Sequence, residues 1–327
     1  MLVLALAGLL FTAQPFTRAV DEIGQRTGLG GALVGGVLLG AMTSLPGLIT
    51  SATAAALDRP SFAVSNALGG IAVQTTFIVV ADLFHRRANL EYAAASLTNL
   101  FQGTLLLALL SLVMMARASP ELTLGPAHPV TYLLGLVYAG GLYLARDSAR
   151  RPMWTPTQVE SSERADERRP AVGRTRVLGL LGRFLLLGGV VASCGFALAH
   201  AGLALSHHTG SSETFVGSVL TATASSMPEL VTAVVAVRAG QVTLAVANIV
   251  GGNSFDVLIV GVSDLFFSGS IYHASEPATS FVVAETMLLT AILLAGMLRR
   301  DREGIGFEGF AIVGVYLACA MVVALGY

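Results

Sequence analysis

The sequence contains no lysine, so arginine supplies all 19 of its basic side chains. Charged residues of either sign make up 12% of the 327 positions, where a water-soluble domain carries about 25%. This scarcity excludes a basic nucleic-acid face. The net charge of −1 says little about partners, because the few charges are bunched into short connectors. Cysteine is scarce too. Cys194 and Cys319 both lie inside apolar runs, which excludes a disulfide framework and a Cys/His metal site and leaves two small residues facing lipid or core. Nothing resembles H-E-x-x-H, G-x-S-x-G or a paired-aspartate centre, so an intramembrane enzyme is a poor reading and no resident cofactor is implied.

What the chain has instead is apolar length: 54% of its residues are hydrophobic, in long runs almost free of charge. Runs of about 18 residues or more read as membrane spans. They are continuous and not alternating, which selects helices over a barrel. Ten spans are expected, near 1–20, 32–57, 61–84, 90–116, 129–146, 176–204, 213–237, 241–267, 277–298 and 305–326. The first reaches polar residues by Gln14 and has no basic segment before it, so it reads as a shortened helix and not as a signal peptide. With ten spans the connectors alternate sides. One set holds Arg18, Arg26, Arg86, Arg87, the arginine-rich segment 147–175, Arg238, Arg299, Arg300 and Arg302; the other holds only Arg59 and Arg117. The positive-inside rule puts the first set in the cytoplasm and both termini outside, in a multi-pass protein of the cell membrane. Three parts follow: a five-helix half over 1–146, a charged flexible linker over 147–175, and a second five-helix half over 176–327.

A shift of 182 positions lays residues 31–84 on 213–266 without a gap, with about a third of the pairs identical. Ser44 falls on Ser226, Pro46 on Pro228, Thr50 on Thr232, Asn66 on Asn248, Gly69 and Gly70 on Gly251 and Gly252, and Asp82 on Asp264. Shared Leu and Val would mean little, but Pro, Asn and Gly-Gly in register mark a duplication. Five spans separate the copies, so the second crosses in the opposite direction. Inverted repeats of this kind place a binding site near the midplane, where they meet. The same shift sets Met1 opposite Arg183 although the sixth span begins near 176. The first helix is therefore expected to lack a turn or two, and translated residues upstream of Met1 would account for it.

Each copy is two helices and a tight turn. In the second, Ser225, Ser226, Pro228, Glu229 and Thr232 sit in mid-span, with 225, 229 and 232 on one helix face. Pro228 has no N–H to give and crowds the carbonyl four residues back, freeing backbone oxygens near Ala224 and Ser225. On the next helix Asn248, Gly252 and Asp256 share a face, and Gly251 and Gly252 permit a close helix crossing. A charge in mid-bilayer costs a few kcal/mol, so Glu229 and Asp256 need a reason to be there. A broken helix with loose carbonyls, hydroxyls and carboxylates suits a hard cation; the bland alternative is a protonated or hydrogen-bonded carboxyl that only packs helices. The first copy keeps Thr43, Ser44 and Pro46 but has Gly47 where the second has Glu229, Gln74 for Asp256 and Ile71 for Asn253. It supplies hydroxyls, carbonyls and one amide, and no carboxylate.

Other polar residues carry weaker signals. Glu285 lies within the ninth span, facing either the pathway or a neighbouring helix. Asp82 and Asp264 stand at helix ends as interface residues, and His207 and His208 read as solvated residues of an external connector. Arg183 is placed to snorkel, and the pairs Gly31/Gly35 and Gly36/Gly40 to serve close packing.

Ser225-Ser226-Met227-Pro228-Glu229 and Gly251-Gly252-Asn253-Ser254-Phe255-Asp256 resemble the α-repeat signatures of the cation/calcium exchanger superfamily, which includes the sodium/calcium exchangers. That family carries G-T-S-x-P-E on one helix and G-S-N-x-x-N/D on the next, in both halves. The likeness is close over 31–84 and 213–266, and the ten-span layout extends it to the whole chain. It implies an all-α polytopic fold of two inverted five-helix halves and ion-coupled antiport by alternating access. By position, Glu229 matches one of the family's two calcium-ligating glutamates, Thr43 and Ser225 the Thr/Ser ligands four residues earlier, and Asp256 the Asn/Asp of the second helix. Gly47 departs from the pattern, as do Gly70, Gly252 and Gln74.

The expected ligand set is Glu229, Asp256, Ser225, Thr43, Ser44, Ser226, Gln74 and Asn253. Its formal charge of about −2 balances one divalent ion, or one monovalent ion and a proton. The expected function is secondary active cation antiport, calcium or another cation against sodium or protons, with the cation as substrate. Inorganic cations and the bilayer are the partners, with no nucleic acid and no obligate protein partner. The loss of the acid at 47 motivates an alternative, a family-derived scaffold or subunit that does not transport.

Overall fold

Backbone N–H and C=O groups in hydrocarbon have no water to bond, so an apolar run there closes its hydrogen bonds within itself as a helix. The computed structural model describes residues 3–12, 15, 43–83, 96–150, 174–238, 240, 242–299 and 306–326. Its helices are α1 (Val3–Thr12), α2 (Leu45–Ala56), α3 (Pro60–Asp82), α4 (Leu97–Ala118), α5 (Pro129–Arg150), α6 (Arg174–Thr209), α7 (Glu213–Ser225), α8 (Met227–Arg238), α9 (Val242–Phe266), the single turn α10 (Ile271–Ala274), α11 (Pro277–Leu298) and α12 (Phe307–Ala324). Six are long and apolar enough to span a bilayer alone; α7 and α8 form one further span, bent by 44°. Three shorter apolar helices, α1, α2 and Pro129–Ala145 within α5, fall in the remaining expected runs. The protein is thus an all-α, multi-pass membrane protein, with α3 and α9 at its centre. Inside the protein 94% of the apolar stretch of α3 is buried, against 22% for α6 and α12, whose outer faces meet lipid.

Side-chain bonds gather four connectors at one end of the helices. Arg59, between α2 and α3, pairs with Glu213 at the start of α7 at 3.1 Å. Arg117, at the end of α4, donates to Ser280 Oγ at 2.7 Å, to Tyr272 O at 2.8 Å and to Glu276 O at 2.9 Å, and also to Ser275 Oγ. Glu276 N donates to Ser61 Oγ at 2.9 Å, and Thr214 Oγ1 to Glu276 Oε2 at 3.1 Å. The two arginine-poor connectors of the sequence therefore share one end, as alternation of spans requires. Asp264 organises the same end: its carboxylate accepts from His128 N and Thr131 Oγ1 at 2.7 Å each and from Ile271 N at 2.9 Å, seating the starts of α5 and α10 on the end of α9. This makes good its expected interface role, and its counterpart Asp82 is likewise buried at the end of α3.

Several boundaries differ from expectation. The linker expected over 147–175 loses residues 147–150 to α5 and 174–175 to α6, and its remainder lies outside the described residues. His207 and His208 do not sit in a connector: α6 runs on to Thr209 and holds both in its last turn, exposed. Gly31, Gly35, Gly36 and Gly40 lie outside the described residues. The tightest glycine crossing falls at Gly69, where a Cβ would stand 2.2 Å from the carbonyl oxygen of Ser218. At Gly251, its repeat partner, a Cβ would stand 3.5 Å from Gln102 Oε1, an ordinary contact. The close approach at Gly69 meets a π-helical turn of α7, Val216–Thr221, which pushes backbone toward α3.

Candidate cation centre

The two repeats share a local conformation ahead of their proline-opened helices. Ser44, ahead of α2, has φ −75° and ψ −3°; Ser226, between α7 and α8, has φ −93° and ψ 5°. Two residues on, Pro46 and Pro228 open the next helix, where a missing N–H costs nothing. Thr50 Oγ1 returns to Pro46 O at 2.8 Å, and Thr232 Oγ1 to Pro228 O at 2.8 Å. α2 packs against α6, where a Cβ on Gly195 would stand 2.7 Å from Pro46 O.

At the meeting of these segments Glu229 is 1% exposed and Asp256 3%. Each carboxylate is gripped by the opposite repeat. Ser44 Oγ donates to Glu229 Oε1 at 3.5 Å, so a hydroxyl of the first copy meets an acid of the second. Thr43, next to Ser44 in the chain, is buried as well. Gln74 Nε2 donates to Asp256 Oδ2 at 2.7 Å and to Ser226 Oγ at 3.3 Å. Six expected ligands, Glu229, Asp256, Thr43, Ser44, Gln74 and Ser226, are therefore in one buried cluster.

Two more stand beside it. Ser225 Oγ donates to Ala222 O at 3.2 Å and faces Gly47, whose Cβ would stand 3.8 Å away. Asn253 turns to α3, donating to Thr75 Oγ1 at 3.2 Å. Glu285 of α11 is buried too, and among the described residues no hydrogen bond joins it to this cluster.

The cluster is short of donors. Glu229 Oε2, Asp256 Oδ1 and Gln74 Oε1 are buried without a hydrogen-bond partner. Leaving such atoms bare costs about 1–3 kcal/mol each, a cost that a cation accepting oxygen lone pairs would remove. Among the described residues no three His, Cys, Asp or Glu side chains converge. A bound ion would therefore take the rest of its shell from hydroxyl, amide and carbonyl oxygens, as hard cations do.

The repeat register pairs Asn66 with Asn248 but says nothing of how each is used. Asn66 is saturated: it donates to Ser51 Oγ at 2.9 Å and Gly47 O at 3.3 Å and accepts from Thr221 Oγ1 at 2.9 Å. Asn248 is equally buried, yet neither its Oδ1 nor its Nδ2 has a partner. The signal lay in the positions around them, since Ser51 falls on Ala233 and Thr221 on Leu39.

Comparison with known proteins agrees with this geometry. CaxA of Alkalimonas amylolytica is 27% identical over 300 residues, spanning 89% of this chain and 88% of that protein. The sodium/calcium exchanger MaX1 of Methanosarcina acetivorans is 31% identical over 114 residues, 35% of this chain and 31% of that one. Among solved structures, the H+/Ca2+ exchanger CAX superposes with a TM-score of 0.69 at 15% identity, covering 99% of this chain and 84% of its own; at that identity the likeness speaks for the fold. The profile of the sodium/calcium exchanger proteins matches residues 1–144 and 179–325, both repeats included. With the paired signatures, the inverted halves and the acids where they cross, the chain belongs to the sodium/calcium exchanger protein family.

Proposed function

We propose that the protein is a secondary active cation antiporter working by alternating access, with Glu229 as principal ligand and Asp256 as second. The observation that carries this reading is that two buried carboxylates of one repeat are each met by a polar group of the other, Glu229 by Ser44 and Asp256 by Gln74. A centre built from both halves binds its ion only while the halves are in register, so rocking one against the other exposes it to one side at a time. Names among the relatives, a sodium/calcium exchanger and an H+/Ca2+ exchanger, support calcium as cargo and sodium or protons as the counter-ion. The arginine distribution supports both termini outside and the 147–175 segment in the cytoplasm.

The test is flux in vesicles reconstituted with purified protein. Calcium uptake driven by an outward sodium or proton gradient is expected, with loss of at least about tenfold in Glu229→Gln, since a charged ligand of a hard cation is removed. Undiminished exchange in that variant removes Glu229 from the mechanism, and absence of flux from the wild-type protein alone favours the non-transporting scaffold or subunit.

A further inference from the structure

The 182-residue shift carries Gln74 onto Asp256, so the hydrogen bond of 2.7 Å between them joins equivalent positions of the two repeats across their pseudo-twofold axis. A carboxylate has only acceptors to offer. The amide must therefore turn its nitrogen to Asp256 and its oxygen away. The same nitrogen reaches Ser226 Oγ at 3.3 Å. The outcome is an exchange of oxygens. Asp256 Oδ2 is occupied by an N–H, while Gln74 Oε1, Asp256 Oδ1 and Glu229 Oε2 remain buried and unpartnered. Gly70, one turn earlier on α3, leaves the amide room to lie this way: a Cβ there would stand 3.5 Å from Ser226 Oγ, 3.8 Å from Asp256 Oδ2 and 3.9 Å from Gln74 Nε2.

We propose that Gln74 determines the ion selectivity of the centre, by withdrawing one Asp256 oxygen from the ion and offering a neutral amide oxygen in its place. This rests on the reading of Glu229 and Asp256 as cation ligands. A divalent ion surrenders its hydration shell only to a strongly charged shell, whereas a monovalent ion accepts neutral oxygens at less cost. Glutamine at 74 thus holds the preference for divalent over monovalent cations below that of the same centre with an acid there. The amide also anchors Asp256 through Oδ2 and leaves Oδ1 unpartnered, so its removal weakens binding of either ion.

Isothermal titration of the purified full-length protein with calcium chloride and, separately, sodium chloride tests this on wild type, Gln74→Glu and Gln74→Leu. Gln74→Glu keeps the shape and adds a carboxylate; the calcium-to-sodium affinity ratio should rise by about tenfold or more. Gln74→Leu keeps the bulk and removes both functions of the amide; affinity for whichever ions the wild type binds should fall by about tenfold. A helix-packing role alone would leave the ratio untouched. If the wild type binds and Gln74→Glu keeps its ratio within twofold, or Gln74→Leu binds as the wild type does, the assignment of Gln74 is overturned while the cation centre stands. If the wild type binds neither ion, the cation reading fails, and this inference with it.

Discussion

At position 47 a Cβ would stand 3.8 Å from Ser225 Oγ and 3.9 Å from Ile259 Cδ1, ordinary contacts. A first side-chain carbon is therefore admitted where the second repeat has Glu229. Gly47→Glu should raise calcium affinity by about tenfold, because it brings a third carboxylate to a centre whose ligand shell is otherwise neutral; titration calorimetry checks this, and an unchanged or weaker affinity would show that the position does not face the ion. The two existing carboxylates also set a dependence on pH. A proton and a cation compete for the same oxygens, and each proton removes one negative charge. Cation affinity should accordingly weaken as pH falls and strengthen as it rises, and calcium titrations across a pH series should lose this slope in the double variant Glu229→Gln, Asp256→Asn.

Among the elements, the two hairpins share a sequence register but not a mechanical state. Asn66 ties α2, α3 and the π-helical turn of α7 together through three hydrogen bonds, whereas buried Asn248 makes none. Leucine is close in shape to asparagine, so substitution separates the two. Asn66→Leu strands the groups it served and should cost about 2–3 kcal/mol, while Asn248→Leu removes an unpaired amide and should be neutral or stabilising. Thermal unfolding in detergent compares them, and equal losses would show that Asn248 finds partners. At the arginine-poor end, Asp264→Ala removes three bonds to one buried carboxylate and should cost about 3 kcal/mol, with cation affinity retained. Much of this hairpin architecture was legible in the sequence. Pro46 and Pro228 at equal register announced helix starts, and each lies in the first turn of its helix, with the 44° bend between α7 and α8 at Ser226. Ser44 was legible as a hydroxyl of the site, but not as the group that meets Glu229, because which oxygen faces which depends on how the halves cross. The Gln74–Asp256 bond was hidden for the same reason: the register equates these residues, and only the fold brings them into contact.

The whole molecule is organised by duplication and inversion: two halves, neither holding a complete centre, supply the acids from one side and the clamping hydroxyls and amide from the other. Hydropathy located the helices because lipid leaves the backbone no alternative. It located helix ends less well at α5, which runs on to Arg150, and at α6, where the exposed His207-His208 turn prolongs the helix beyond the apolar run. The arginine asymmetry gives a prediction at this scale. A single cysteine introduced near residue 160, in a background with Cys194 and Cys319 replaced, should react with an impermeant thiol reagent in inverted vesicles and not in intact cells, and one at Gly125 should do the reverse. Cation-induced stabilisation of the purified protein reaches the centre itself. Across a panel of calcium, sodium, potassium, manganese and magnesium, at least one ion should raise the unfolding temperature of the wild type by several degrees, as ligand at about 100 times its dissociation constant contributes about 2.7 kcal/mol, and Glu229→Gln and Asp256→Asn should each abolish most of that rise. A wild type indifferent to every ion, or variants stabilised as strongly as the wild type, would contradict a cation centre at these two carboxylates.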